Sequence, residues 1–154
     1  MPDELEGLQD RSFARAGPAV SSSFPAERRL TGPQLARFLD GHRFAVAATT
    51  RPDSRPHAAM TSYFRAGATF WLPTMAGSVR ARNVQGRPWL SLVVAEGEGD
   101  RHAVVSMEGA AAVVGLDAAP AGLVDRVEDP SWVACWLKLT PSRLFSYAGR
   151  EATP

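Results

Sequence analysis

The stretch Thr74-Met-Ala-Gly-Ser-Val-Arg-Ala-Arg-Asn83 joins an apolar run, residues 68–72, to a short helical pattern, residues 79–85. The run predicts a strand and the pattern predicts a helix. The first N–H groups of a helix have no intrahelical acceptor, and the helix dipole favours negative charge beside them. Hydroxyl and guanidinium groups suited to a phosphate come from Thr74, Ser78 and Arg80. The stretch therefore predicts a phosphate-binding loop at a strand-to-helix junction.

The composition favours one globular domain. The 154 residues are 45% hydrophobic and 21% charged, with a net charge of +1. So small a charge argues against nucleic acid or an acidic membrane as a partner. No apolar run approaches the roughly 18 residues of a membrane-spanning helix, and residues 1–10 lack the apolar core of a secretory signal. The single cysteine, Cys135, excludes an internal disulfide. We therefore expect a cytoplasmic protein.

The chain divides into three parts. Residues 1–30 have weak periodicity and a Ser21-Ser22-Ser23 run, which predict an extended, partly flexible N-terminal arm. Residues 31–148 carry the regular patterns of a folded domain, and residues 149–154 form a C-terminal tail. Thr31 and Gln34 form a capping-box pair, so the domain is expected to begin with a helix.

The rest of the domain reads mainly as strands. Six are predicted, at 44–50, 57–64, 68–72, 89–95, 103–114 and 136–147, the last of them interrupted at Pro141. Residues 118–127 have the spacing of a further short helix. Because most connections are hairpins and strands do not alternate with helices, the pattern predicts a small antiparallel β-barrel with short helices.

Several motifs occur in a recognisable order. After the helix and the Ala/Val/Thr-rich first strand come Pro52-Asp53-Ser54-Arg55-Pro56, Phe70-Trp71, Gly77-Ser78-Val79-Arg80-Ala81-Arg82-Asn83, Arg87-Pro88-Trp89-Leu90-Ser91-Leu92 and Leu137-Lys-Leu-Thr-Pro-Ser-Arg-Leu144. In this order the chain, from about Leu30 to Tyr147, resembles the pyridoxamine 5'-phosphate oxidase-like superfamily of flavin-binding split barrels.

The resemblance implies a Greek-key-like, six-stranded antiparallel split β-barrel. It also implies a homodimer that holds flavin mononucleotide (FMN) in grooves between the subunits and transfers a hydride or electrons to a small-molecule substrate. The implied phosphate contacts are Thr74, Ser78 and Arg80. The implied contacts to the isoalloxazine ring are the backbone of Ala59, Met60, Thr61 and Ser62, together with His102 and, from the partner subunit, Trp136.

Three positions depart from the oxidase that makes pyridoxal phosphate. That enzyme has basic residues at the places of Val79 and Ala59 and near Phe64. Their loss argues against the vitamin B6 oxidase itself and lowers the expected affinity for FMN. Arg80 stands where the family commonly has Lys. The arginine keeps the positive charge and can also form two parallel hydrogen bonds to a phosphate.

Two other functions stay open. The coenzyme could instead be the deazaflavin F-420, since it also carries a phosphate and a three-ring system. A non-catalytic module that binds flavin or haem is the other alternative, with His57 or His102 as the candidate axial ligand.

No metal site is predicted, because the three histidines lack metal-ligand spacing. No catalytic side chain is predicted either. Arg82 is expected to face solvent or pair with an acid, and Asn83 is expected to be structural.

Overall fold

The structure, a computed structural model, describes residues 3–154. The helices are α1 (Glu4–Ala14), α2 (Pro18–Ser23), α3 (Gly32–Gly41) and α4 (Val79–Gly86). The strands are β1 (Phe44–Thr50), β2 (Pro56–Ser62), β3 (Phe64–Ala66), β4 (Thr69–Thr74), β5 (Trp89–Glu96), β6 (Ala103–Val114) and β7 (Cys135–Ala148). The prediction of a mainly antiparallel β protein with short helices is confirmed.

All the strands belong to one antiparallel sheet that curls into a half-barrel. Its order is β2-β1-β5-β6-β7-β4-β3, and β2 and β3 are the two end strands. The main core fills the concave side, where Leu35 and Phe38 of α3 meet inward residues of β4 to β7 such as Leu72, Leu92 and Leu139. The predicted capping box of α3 is present: the Thr31 side chain and the Gln34 backbone are 3.4 Å apart.

The strand count is seven rather than the predicted six, because Tyr63 interrupts the expected strand 57–64. Its buried hydroxyl donates to the carbonyl oxygen of Leu39 at 2.5 Å, and burial raises the pKa of this phenol. The chain on either side of Tyr63 therefore pairs differently. Ser62 of β2 pairs with β1, whereas Phe64 of β3 pairs with β4.

The interrupted strand predicted at 136–147 is one continuous strand, β7. It passes Pro141 through an irregularity opposite Glu108 and Gly109 of β6. A Cβ atom at Gly109 would lie 2.2 Å from the carbonyl oxygen of Thr140, so only glycine fits at this crossing.

The helix expected at 118–127 is wrong. The chain instead makes single 3-10 turns at 116–118 and 124–126, because Pro120 and the positive φ of Gly122 (80°) interrupt a continuous helix. This long connection covers the outer face of β4 and β7. Its buried side chains form a second, smaller core: Leu123, Val127 and Val133 with Trp71 and Trp136.

The N-terminal segment differs from the expected extended arm. Residues 4–14 are helical, and Leu5, Leu8 and Phe13 of α1 are buried. Asp3 caps α1 by accepting a hydrogen bond from the N–H of Leu5 at 3.2 Å. The segment is helical because its apolar side chains pack on β7, and such packing stabilises a short helix. The sequence of residues 4–14 alone does not reveal that this packing surface exists.

A group of buried polar contacts, the α1–β7 clamp, attaches α1 to β7. Ser12 Oγ accepts from the N–H of Leu144 at 2.9 Å. The N–H of Leu30 donates to Ser146 Oγ at 2.9 Å, and Gln9 Nε2 donates to the carbonyl oxygen of Leu30 at 2.8 Å. Ser146 Oγ donates in turn to Gln9 Oε1. The clamp lies on the part of β7 beyond residue 139, where β4 no longer pairs with it.

We expect Ser146→Ala to lower the free energy of unfolding by about 1–3 kcal/mol, because it leaves the N–H of Leu30 without an acceptor and Oε1 of Gln9 without a donor. Urea denaturation followed by circular dichroism measures the change. Ser142→Ala, an exposed serine on the same strand, is the control and should stay within about 0.5 kcal/mol of the wild type. Equal stabilities of the two variants would contradict the role of the clamp.

Candidate functional site

The predicted strand–loop–helix is present. β4 ends at Thr74, α4 begins at Val79, and Gly77 turns the connecting loop with a φ of 68°. Ser78 caps α4: its Oγ accepts the N–H of Ala81 at 3.1 Å, which leaves its own O–H free to donate. The structure therefore contains the helix start at which the sequence predicts an anion, with the first N–H groups of α4 available there.

Arg80 is partly buried beside this end. Its Nη2 donates to the carbonyl oxygen of Pro73 at 3.0 Å, while its Nε is buried with no hydrogen-bond partner. Burial lowers the pKa of the guanidinium, which nevertheless stays protonated. A cation with an unused buried N–H gains from an anionic ligand that supplies the missing acceptor.

A chain of contacts places α4 beside the start of β2. Asn83 Nδ2 donates to Thr49 Oγ1 at 3.0 Å, and Thr49 pairs with His57 across β1 and β2. Asn83 lies three residues after Arg80, so the two share one side of α4. His57 Nδ1 is also buried without a partner. Asn83 has a structural role, as expected: its side chain joins α4 to Thr49 of β1.

The predicted ring-binding residues follow on β2, an end strand of the sheet. The Met60 side chain is 63% exposed, and Ala59 and Ser62 are partly buried. Thr61 is buried, and its Oγ1 donates to the carbonyl oxygen of Ser62 at 3.0 Å. Because β2 pairs with one neighbour only, its outer edge presents unpaired backbone N–H and C=O groups.

Two predicted site residues lie away from any ligand surface. Thr74 is fully buried, and its Oγ1 donates to the carbonyl oxygen of Leu72 at 3.0 Å. Trp136 is also fully buried, with its ring centroid 6.5 Å from Trp71 and 6.2 Å from Phe64. The hydroxyl of Thr74 is satisfied internally and the indole of Trp136 is buried within the chain's own core, so neither side chain is presented to a ligand.

His102 lies apart from the loop that precedes α4. It precedes β6, which is separated from β2 by β5 and β1. Its carbonyl oxygen accepts the N–H of Gly149 at 2.7 Å, and its half-buried ring lies 6.3 Å from that of Tyr147. The structure therefore does not bring His102 together with Ser78 and Arg80.

Sequence reasoning missed one residue near the loop. A cavity of about 520 Å³ beside α4 is lined by Arg51, Pro52, Asp53, Val79, Arg82 and Asn83. Arg51 and Arg82 are exposed, and neither has a carboxylate within 4.0 Å among residues 3–154. The solvent-facing expectation for Arg82 is thus confirmed. Arg51 follows directly after β1 and precedes the Pro-Asp turn. A cation at the end of a strand, beside a turn, is the sequence feature that could have marked it as a candidate.

The described part of the chain, residues 3–154, contains no group of three His, Cys, Asp or Glu side chains placed to hold a metal ion. Over the same range, no helix has the length and hydropathy needed to cross a membrane.

Residues 31–143 match the family model described as pyridoxamine 5'-phosphate oxidase. The chain belongs to this family. The match covers more than half of the sequence and includes α3, α4 and the strands up to the first part of β7. A comparison with curated proteins finds no match.

Solved structures share the split-barrel fold of this family. A conserved hypothetical protein of Mycobacterium tuberculosis is 23% identical, with a TM-score of 0.68 over 81% of this chain and 89% of that one. The haem storage protein HutZ of Vibrio cholerae is 17% identical, with a TM-score of 0.63 over 76% and 94%. A FAD-binding protein of Mesorhizobium loti is 16% identical, with a TM-score of 0.60 over 77% and 93%.

Cys135 lies beside the loop that precedes α4, with its Sγ 3.8 Å from the carbonyl oxygen of Thr74, and its thiol is a probe of the charge on Arg80. Burial raises the pKa of the thiol, and the Arg80 cation opposes that shift. Arg80→Ala should therefore raise the pKa further, moving the midpoint of iodoacetamide alkylation to higher pH. Arg82→Ala, with an exposed side chain, should leave the midpoint unchanged. A midpoint that stays constant or falls in Arg80→Ala would show that the charge of Arg80 does not reach the thiol.

Proposed function

We propose that this chain is an FMN-binding, oxidoreductase-like protein whose phosphate site is the start of α4. The observation that carries the proposal is the Asn83–Thr49–His57 connection, which joins α4 to the first residues of β2. It links α4, at whose start the Arg80 Nε is buried without an acceptor, to the start of β2, where the His57 Nδ1 is buried without a partner. These groups fit a phosphate, which accepts several hydrogen bonds and carries negative charge.

The ring would lie along the free edge of β2. From His57 to Ser62 the strand extends about 17 Å at about 3.3 Å per residue, which leaves room for a phosphate at one end and a fused ring at the other. Unpaired backbone groups at this edge match the alternating donors and acceptors of a flavin's polar ring. Ala59 is too small to fill the space in front of the strand.

Bound FMN would supply the redox chemistry through its own ring, and the protein would supply binding and orientation. Ser78 and Arg80 would hold the phosphate, and the backbone of residues 59–62 would orient the ring. We assign no side chain to proton transfer. The substrate would be a small molecule that stacks on the ring.

We also propose that the protein is a homodimer with the ring groove between its subunits. The outer face of β1 and β2 carries exposed apolar side chains: Phe44 is 57% exposed and Met60 63%. Val46 and Met60 pair directly across the two strands, so these side chains form one patch. An apolar patch beside the proposed ring site suits a second copy that would close the groove.

The family and its neighbours are also consistent with other ligands. The FAD-binding neighbour favours a flavin, and the haem storage neighbour keeps haem binding as an alternative. The deazaflavin coenzyme F-420 would use the same phosphate and edge-strand contacts. Absorption spectra of the purified protein titrated with each ligand distinguish the three, since only haem gives an intense Soret band.

We expect FMN to bind more tightly than riboflavin, which lacks the phosphate. Arg80→Ala should weaken FMN about tenfold or more, since hydrogen bonds to a charged group contribute about 1.5–3 kcal/mol, and should leave riboflavin binding unchanged. Fluorescence titration of the apoprotein measures both. Arg150→Ala, an exposed arginine after β7, is the control and should retain the wild-type preference.

Equal affinities of the wild type for FMN and riboflavin, or an unchanged ratio in Arg80→Ala, would overturn the phosphate site. If neither flavin binds but the deazaflavin coenzyme does, the cofactor assignment is wrong and the anion site stands.

The dimer is tested by Val46→Glu, which places a charge in the apolar patch. We expect a dimer for the wild type and a monomer for the variant in sedimentation velocity at micromolar concentration. Met60→Lys, a substitution of a more exposed residue, should act in the same direction with less risk to folding. Leu116→Glu, exposed on the connection after β6, is the control and should remain dimeric. A monomeric wild type would refute this proposal.

A further inference from the structure

We propose that a second cavity, remote from the FMN site proposed above, binds small aromatic carboxylates. It has a volume of about 590 Å³ and lies between the α1–α2 connection and the outer face of β5 to β7. We call it the N-terminal cavity. Its lining includes Arg15, Val20, Trp89, Glu108, Arg143 and Phe145. The volume falls within the range of about 300–1,000 Å³ that is typical of small-molecule sites.

The apolar walls of the cavity suit a flat ring. Phe145 contributes an aromatic surface, and its position is fixed by an edge-on contact with Phe13 at 5.0 Å between ring centroids. Val20 of α2 lines the cavity from the helical side. The indole of Trp89 is 46% exposed, so one part of it remains open to stack on a ligand.

The charges in the cavity favour a single negative charge on the ligand. Arg143 Nη1 lies 3.7 Å from Glu108 Oε1, so these two charges offset each other. Arg15 has no carboxylate within 4.0 Å among residues 3–154, and its cation is uncompensated. A guanidinium binds a carboxylate through two parallel hydrogen bonds, which a neutral amide cannot reproduce.

The α1–β7 clamp fixes the geometry of this cavity. Ser12, one turn before Arg15, donates to the carbonyl oxygen of Leu8 at 2.7 Å and accepts from Leu144 at 2.9 Å. The end of α1 is thereby held against β7. The hydroxyl of Ser12 is already engaged within the protein, and Arg15 supplies the uncompensated positive charge at this end of the cavity.

The N-terminal cavity shares no residue with α4 or β2. The inference therefore does not depend on FMN binding, and a ligand in this cavity should bind whether or not FMN is present.

Isothermal titration calorimetry of the full chain with naphthalene-2-carboxylate tests the inference, and naphthalene-2-carboxamide is the uncharged counterpart. We expect the carboxylate to bind about tenfold more tightly than the amide, given the usual contribution of a charge-assisted hydrogen bond. Saturating FMN should leave the carboxylate affinity unchanged. Competition by FMN would place the probe at the cofactor site and overturn the proposal.

Variants locate the binding. Arg15→Ala should remove the preference for the carboxylate, and Trp89→Ala should weaken both probes by a similar factor. Both side chains are exposed, so folding should be preserved, and circular dichroism verifies this. Arg150→Ala is the matched control for the loss of one exposed arginine and should bind like the wild type. No binding at millimolar probe, or equal losses in Arg15→Ala and Arg150→Ala, would refute the site.

Discussion

The unpaired edge of β7 is the constraint on which the rest of the structure depends. β6 pairs with β7 along almost its whole length, but β4 reaches only residues 135–139 on the other side. A buried strand edge leaves N–H and C=O groups without partners, which is costly. Here α1 and the chain at Leu30 pack against that edge. Ser12 Oγ accepts the N–H of Leu144, while the side chains of Gln9 and Ser146 bind each other and the backbone of Leu30. A helix thus completes the half-barrel where another strand would otherwise be needed.

This arrangement determines which surfaces remain available for function. α1 covers β7 inside the sheet, whereas β2 is one of its two end strands and keeps a free edge. The start of β2 is joined to α4 through Asn83 and Thr49. Burial then distinguishes residues that look equivalent in the sequence. Arg80 keeps an unsatisfied N–H beside the helix start, whereas Thr74 satisfies its hydroxyl within its own strand. The same helix packing forms the N-terminal cavity between the end of α1 and strands β5, β6 and β7.

Local patterns explain how much was predictable. The α3 capping box and the strand–loop–helix around Gly77 rest on residues within a few positions of one another, and both are present. The strand count and the helix at 118–127 were wrong because they depend on distant contacts or on interruptions within the segment. Tyr63 divides a strand through a bond to Leu39, 24 residues away, and Pro120 and Gly122 replace a helix with short turns.

The sequence by itself determined the fold class, the family resemblance and the strand–loop–helix that carries Ser78 and Arg80, because strand alternation and helix capping are local properties of the chain. Only the tertiary structure decided that residues 4–14 are a packed helix, that Trp136 lies in a core and that Arg51 lines a cavity. These outcomes depend on contacts between residues far apart in sequence: Ser146 and Gln9, separated by 137 positions, bind each other only once the sheet has formed.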